Sequence, residues 1–321
     1  MTTISSLTLA VDVGGSHITV ALVADDGLRA RRDFEVKPER GLRPYLPRIE
    51  QAVSELFVEI PTAAEQCGGL GLALPLLVDP TAARVISAPR GKFEDAPQID
   101  FRAWANERFR LPLKLEVDAH AGCLGEWVFG AGRGCEDMVF VTLGTGYGTS
   151  VILRGRPLRG RSGLAGILGG HLSVNVDGHK CVCPGRGCAE AETGTWTLDA
   201  VVREQPDYAA SALAAHATVN YRTLFAAADS GDALARRIVQ RNLGYWGASL
   251  VNLTHAYNPA RIVMAGSILK AAERMIPFFN DYLHRQVWTV GDYPEVVVAR
   301  HIDTAALFGC RALFTRELAC L

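Results

Sequence analysis

Residues 7–27, LTLAVDVGGSHITVALVADDG, decide the fold. LTLAVDV (7–13) is an apolar run suited to a buried strand, GGSH (14–17) is a turn, and HITVALVA (17–24) alternates polar and apolar before the DDG turn at 25–27. LRARRDFEV (28–36) continues as a further strand. The theme returns at MVFVTL (138–143), a buried strand that runs into the glycine-rich GTGYGTS (144–150). Between these stretches the pattern predicts a helix after Pro47, with apolar positions Ile49, Val53, Leu56 and Phe57, and strands at 70–78 and 81–89. A helix near 101–108, a strand LKLEV (113–117) and a helix over 119–129 follow. Beyond 150 come a glycine-rich segment to 200, helices over 205–258, a buried strand RIVMAG (261–266), a helix over 267–285, a strand VVVA (296–299) and a last helix over 304–319. Strands and helices thus alternate along much of the chain.

At roughly 100–200 residues per domain, 321 residues suggest about two domains. Lys plus Arg number 33 and Asp plus Glu 34, a net charge of −1, which argues against gripping nucleic acid by bulk charge. No run of about 18 residues is both apolar and uncharged, and Asp12 interrupts the N-terminal apolar run, which lacks a basic leader. The expectation is a cytoplasmic protein with no membrane partner. Eight cysteines then need a reason other than disulfides. Cys67, Cys123, Cys135, Cys310 and Cys320 are scattered and read as small buried apolar residues. Cys181, Cys183 and Cys188 crowd together.

Several groupings carry chemistry. In Asp12-Val13-Gly14-Gly15-Ser16, glycines let backbone amides approach phosphate oxygens, Ser16 adds a donor, and a strand-end carboxylate can hold Mg²⁺ through water. An ordinary Gly-Gly hairpin turn would look the same. Leu143-Gly144-Thr145-Gly146-Tyr147-Gly148-Thr149 suits a phosphate cradle or a plain glycine hairpin. It is not a Walker A sequence, since Gly-Lys-Ser/Thr occurs nowhere in the chain. Asp118 at the end of LKLEV could accept a proton from a hydroxyl, or cap the helix that follows. Cys181, Cys183 and Cys188 with one imidazole make a tetrahedral set for structural Zn²⁺, with His171 and His179 both available as the fourth ligand. Glu190 would be held firmly by such a staple, or is simply an acid favoured at a helix N-terminus, and Gly266-Ser267 opens a helix where a ligand could approach the backbone or where strand and helix simply pack.

In this order the pieces resemble the ROK family of sugar kinases and sugar-responsive repressors, over nearly the whole chain. The family's D-x-G-G-S/T is met at Asp12–Ser16, its Asp before a helix running into Gly-Glu at Asp118 and Gly125-Glu126, and its L-G-T-G at 143–146. Its most specific signature is Gly-His, nine residues, then C-x-C-G-x-x-G-C-x-E. Here Gly170-His171 precedes CVCPGRGCAE (181–190), with Pro184 the one changed position. The resemblance makes His171 the fourth metal ligand. It implies two actin-like (ribonuclease H-like) α/β domains with a cleft between them and a small zinc-stapled loop. The small domain would hold 1–117 plus 304–321 and the large one 118–303. It implies ATP and Mg²⁺, phosphate transfer to a sugar hydroxyl, usually O6, with Asp118 as base, and His171 and Glu190 as further substrate contacts. Asp12, Gly14, Gly15, Ser16, Gly144, Thr145, Gly146, Gly266 and Ser267 would bind nucleotide, and members are often homodimers.

Three departures bear on specificity. Val117 stands where the family's glucose kinases have Asn, Leu168 where they have Glu, and Pro75-Leu76 where Pro-Gly is usual. The first two positions normally hydrogen-bond sugar hydroxyls, and apolar replacements remove that recognition. An amino or N-acyl hexose, a deoxy sugar or a cyclitol is therefore expected over plain glucose, with a sugar-binding sensor as the other reading. The family's repressors carry a DNA-binding module ahead of the first motif, and only eleven residues precede Asp12, so no nucleic-acid partner is expected.

Overall fold

The structure is a computed structural model and describes residues 7–315. Cys320 and the far end of the expected last helix lie outside the described residues. The chain separates into two compact units. The first takes the N-terminal part through Cys135, then 154–165, then the chain from Ala299; the second takes 136–153 and 166–298.

In the first unit, β1 (Leu7–Val13), β2 (His17–Ala24) and β3 (Gly27–Glu35) form an antiparallel meander. β4 (Cys67–Leu74) pairs parallel with β1 on the other side. A small hairpin of β5 (Leu77–Asp79) and β6 (Arg84–Ser87) follows, and β7 (Leu113–Val117) pairs parallel with β4. The sheet order is β3-β2-β1-β4-β7. Leu9, Val11, Val13, Ile18, Val20 and Leu22 are all sealed from solvent and pack with Ile49, Val53 and Leu56 of the helix Leu46–Glu59. That helix buries the apolar stripe its sequence spacing predicts.

In the second unit, β8 (Met138–Leu143) and β9 (Tyr147–Leu153) form an antiparallel hairpin. The strand Arg261–Ala265 lies parallel beside β8, and the strand Glu295–Val298 lies parallel beside that. The second sheet therefore repeats the plan of the first: a hairpin whose opening strand also carries parallel partners. The shared strand-and-glycine theme of the sequence is an echo of topology. The region expected to be helical over 205–258 resolves into helices Tyr221–Asp229 and Ala233–Tyr257, preceded by short 3-10 turns. The helix expected from 267 opens as a 3-10 turn, Ser267–Ala271, and continues as Ala272–Gln286.

The compact units divide the chain at other places than the 117 and 304 expected from the sequence. The helix Asp118–Phe129 and the residues from 299 belong to the first unit. The cause is close helix packing. A side chain on Gly125 would sit 2.2 Å from the Ala305 carbonyl, and one on Gly309 would sit 1.8 Å from that of Ala121, so the helices Asp118–Phe129 and Ala305–Ala312 touch backbone to backbone. The sealed Glu126 carboxylate accepts from the amides of Ala131, Arg300 and His301 at 2.8, 2.9 and 2.7 Å. Arg311, 2% exposed, donates to Asp25 and Thr8 and ties the last helix to the first hairpin. Among the described residues no helix is long and apolar enough to cross a membrane.

Candidate active site

In the first unit the sheet register does the positioning. Asp12 lies opposite Ala73 on β4, and Val117 lies opposite Leu74. Parallel strands end together, so Asp12 and Asp118 emerge at the carboxyl ends of the strands flanking β4, where open α/β sheets place their ligands. Both are half-buried. Burial and the nearby Asp118 carboxylate push Asp12 up to about 7. Two carboxylates this close disfavour one another's charge, and a divalent cation would relieve both. The donor chemistry therefore fits Mg²⁺.

Asp118 does not cap its helix. The cap position is Val117, with no side-chain bond, and Asp118 is the first helical residue, its Oδ1 accepting from the adjacent Ala119 amide at 2.7 Å. Just before it, the buried Glu116 accepts from the Val117 amide at 2.9 Å and from Arg159 at 2.6 Å. The turn after Asp12 is tight: the Gly14 amide donates to the His17 carbonyl at 2.8 Å, and the exposed Ser16 hydroxyl lies 2.9 Å from His17 Nδ1.

In the second unit, the loop 144–146 closes the β8–β9 hairpin, so the glycine-hairpin geometry is present. Gly144 donates to the Gly146 carbonyl at 3.1 Å. Gly266 has a φ of +94°, and a side chain there would stand 2.3 Å from the Leu143 carbonyl. Its glycine lets the strand Arg261–Ala265 end against the loop, with the Ser267 hydroxyl facing Gly144. Glu190 is also at this loop. Its Oε2 accepts from the Tyr147 amide at 3.0 Å, and a side chain on Gly146 would meet that oxygen at 2.5 Å.

Also in the second unit, the ligand atoms of His171, Cys181, Cys183 and Cys188 all lie within 4.8 Å of one another. Cys183 Sγ and Cys188 Sγ are 3.6 Å apart, and Cys181 Sγ is 3.4 Å from His171 Nδ1. A tetrahedral Zn²⁺ with bonds of about 2.3 Å to sulfur and about 2.0–2.1 Å to nitrogen requires roughly 3.8 and 3.5 Å for these separations. Burial and the neighbouring thiols push Cys188 up to about 12, and burial raises Cys181. Three thiols crowded at that cost fit a soft divalent cation. His179, the other candidate ligand, points elsewhere. Its backbone amide and Nδ1 meet the sealed Glu192 carboxylate at 2.6 and 3.1 Å, and Arg241 reaches the same carboxylate at 2.5 Å.

Sequence reasoning missed Glu192, Arg241 and Arg159. The one available signal was two glutamates two apart in AEAET, which point to different sides of a helix. Val117 is half-buried and Leu168 is 38% exposed; neither side chain offers a hydrogen bond.

Comparison with known proteins gives a consistent set. The sequence profile described as ROK family matches residues 8–317. The glucokinase of Thermotoga maritima is 29% identical over 320 residues, 97% of this chain and 98% of its own length. The ROK family glucokinase of Streptomyces griseus, solved in complex with glucose and AMPPNP, superposes with a TM-score of 0.77 at 26% identity, covering 96% of this chain and 98% of that one. The transcriptional regulator NagC of Escherichia coli is 27% identical over 97% of this chain and 75% of its own.

Proposed function

The chain belongs to the ROK family, and from that premise we propose that it transfers a phosphoryl group from ATP to a hydroxyl of a hexose or hexose-like acceptor, the 6-hydroxyl or its equivalent. The observation that carries this reading is the Asp12–Asp118 pair at the ends of β1 and β7. Phosphoryl transfer asks a protein mainly for positioning and charge stabilisation. Asp118 takes the proton of the attacking hydroxyl, and Asp12 with Gly14, Gly15 and Ser16 serves the cation and phosphate side. Mg²⁺, when bound, offsets the charge of the carboxylate pair and of the nucleotide phosphates. In the second unit, Gly144, Thr145 and Gly146 supply backbone to the phosphates, and Gly266 and Ser267 border the nucleoside side.

Zn²⁺, when held by His171, Cys181, Cys183 and Cys188, supplies a structural crosslink. His171 Nδ1 faces the thiols, which leaves Nε2 for an acceptor hydroxyl. Glu190 Oε2 is engaged by Tyr147, which leaves Oε1 for the same purpose. Val117 and Leu168 support an acceptor other than plain glucose: an amino or N-acyl hexose, a deoxy sugar or a cyclitol. A site without a polar partner for a hydroxyl loses its preference for substrates that carry one.

The similarity to NagC favours one other reading, a sugar-binding sensor without transfer. ADP release with Mg-ATP across hexoses, N-acyl hexosamines, deoxy sugars and cyclitols separates the two. Turnover on one class establishes the kinase. Sugar binding with no ADP release on any acceptor establishes the sensor.

A further inference from the structure

The loop 144–147 is gripped by a segment far away in sequence. The Thr195 hydroxyl and amide both donate to the Gly144 carbonyl, at 2.8 and 3.2 Å. The Trp196 amide donates to the Thr145 carbonyl at 3.4 Å. Glu190 takes the Tyr147 amide at 3.0 Å, and the Gly146 carbonyl takes the Gly144 amide. These bonds engage two of the loop's four amides and leave those of Thr145 and Gly146.

Peptide planarity makes this consequential. In a trans peptide the C=O of one residue and the N–H of the next point in opposite directions. Fixing the Gly144 carbonyl towards Thr195 therefore turns the Thr145 N–H the other way. Fixing the Thr145 carbonyl towards Trp196 does the same for the Gly146 N–H. Thr145 is exposed and Gly146 partly so, so both amides lie on the accessible side of the loop. We propose that Thr195 is a positioning residue for nucleotide binding: with the Trp196 amide it clamps the two loop carbonyls and presents the Thr145 and Gly146 amides as a pair to a phosphate oxygen. The same segment begins at Cys188, so the stapled loop and the phosphate loop share one support. This rests on the kinase reading above, which gives the loop its nucleotide.

The test is calorimetric binding of Mg-AMPPNP and of adenosine, without sugar, to the full chain. Thr195→Val keeps the shape and removes the hydroxyl. It is expected to weaken Mg-AMPPNP roughly 5- to 10-fold, the worth of about one hydrogen bond, and to leave adenosine affinity unchanged. Thr195→Ser, which keeps the donor, restores the wild-type Kd. Trp196→Pro deletes the other donor at the second residue of the helix Thr195–Arg203, in the first turn, where proline is tolerated, and decides the matter if Thr195→Val fails to fold. It is expected to weaken Mg-AMPPNP about 2- to 5-fold. Wild-type affinity for Mg-AMPPNP in both folded variants, or equal loss of adenosine binding, overturns the clamp. Absence of nucleotide binding by the wild-type protein overturns the kinase reading itself, and the clamp with it.

Discussion

The turn after Asp12 and the turn after Leu143 begin from the same sequence theme and end as different devices. Each closes a hairpin whose first strand also carries parallel partners. The first is loaded with charge: Asp12 faces Asp118, and burial with that neighbour pushes it up to about 7. The second has no charge of its own and is instead held by Glu190, Thr195 and Trp196. The lesson is that a strand ending in glycines supplies only close backbone approach. What arrives beside it, a second carboxylate or a clamp on the carbonyls, decides whether it suits a cation or phosphate oxygens.

The comparison can be broken at either turn. The largest effect is expected from the metal staple, because the support of the second turn runs directly from Cys188. Metal analysis should find about one zinc per chain. Stripping it with a chelator should lower the melting temperature by about 10 °C and weaken acceptor binding. Zinc-free protein with an unchanged melting curve would refute the staple.

A smaller effect of opposite sign is expected at the first turn. The folded-state pKa of Asp12 is raised from 3.8 to about 7, so the folded protein holds a proton that the unfolded chain releases. Stability contributed by the protonated form is complete below about 4 and is lost as pH rises through about 7. Asp12→Asn removes that loss. In magnesium-free buffer it should stabilise the protein by about 2 kcal/mol at pH 8, allowing for the partial exposure of the group, and by almost nothing at pH 4. The same variant should lose Mg-ATP turnover. Melting temperatures measured against pH decide this, and a pH-independent difference would refute the upward shift of Asp12 that burial and Asp118 produce.

Much of this was legible in the sequence, for physical reasons. Apolar runs such as LTLAVDV and MVFVTL have few ways to be buried other than as central strands. The spacing of Cys181, Cys183 and Cys188 is too short for core packing to explain. Glycine positions read less well: Gly266 fits a ligand approach and plain strand–helix packing equally, and the structure shows the packing contact, the Leu143 carbonyl beside it. What the sequence hid are pairings across long separations. Glu116 meets Arg159, 43 residues on, and Glu192 meets Arg241, 49 residues on. No local pattern announces either, because each depends on where the fold returns the chain. The packing of the helix Asp118–Phe129 in the first unit is hidden for the same reason: its partner, Ala305–Ala312, lies at the other end of the sequence.

Transfer itself is the most direct test of the account. Sugar-phosphate formation from Mg-ATP should be followed in wild type and in Asp118→Asn, with nucleotide Kd measured on the same samples. The account predicts that Asp118→Asn lowers turnover by about 100- to 10,000-fold and leaves the Kd within about twofold. Near wild-type turnover in Asp118→Asn, with nucleotide still bound, would contradict it.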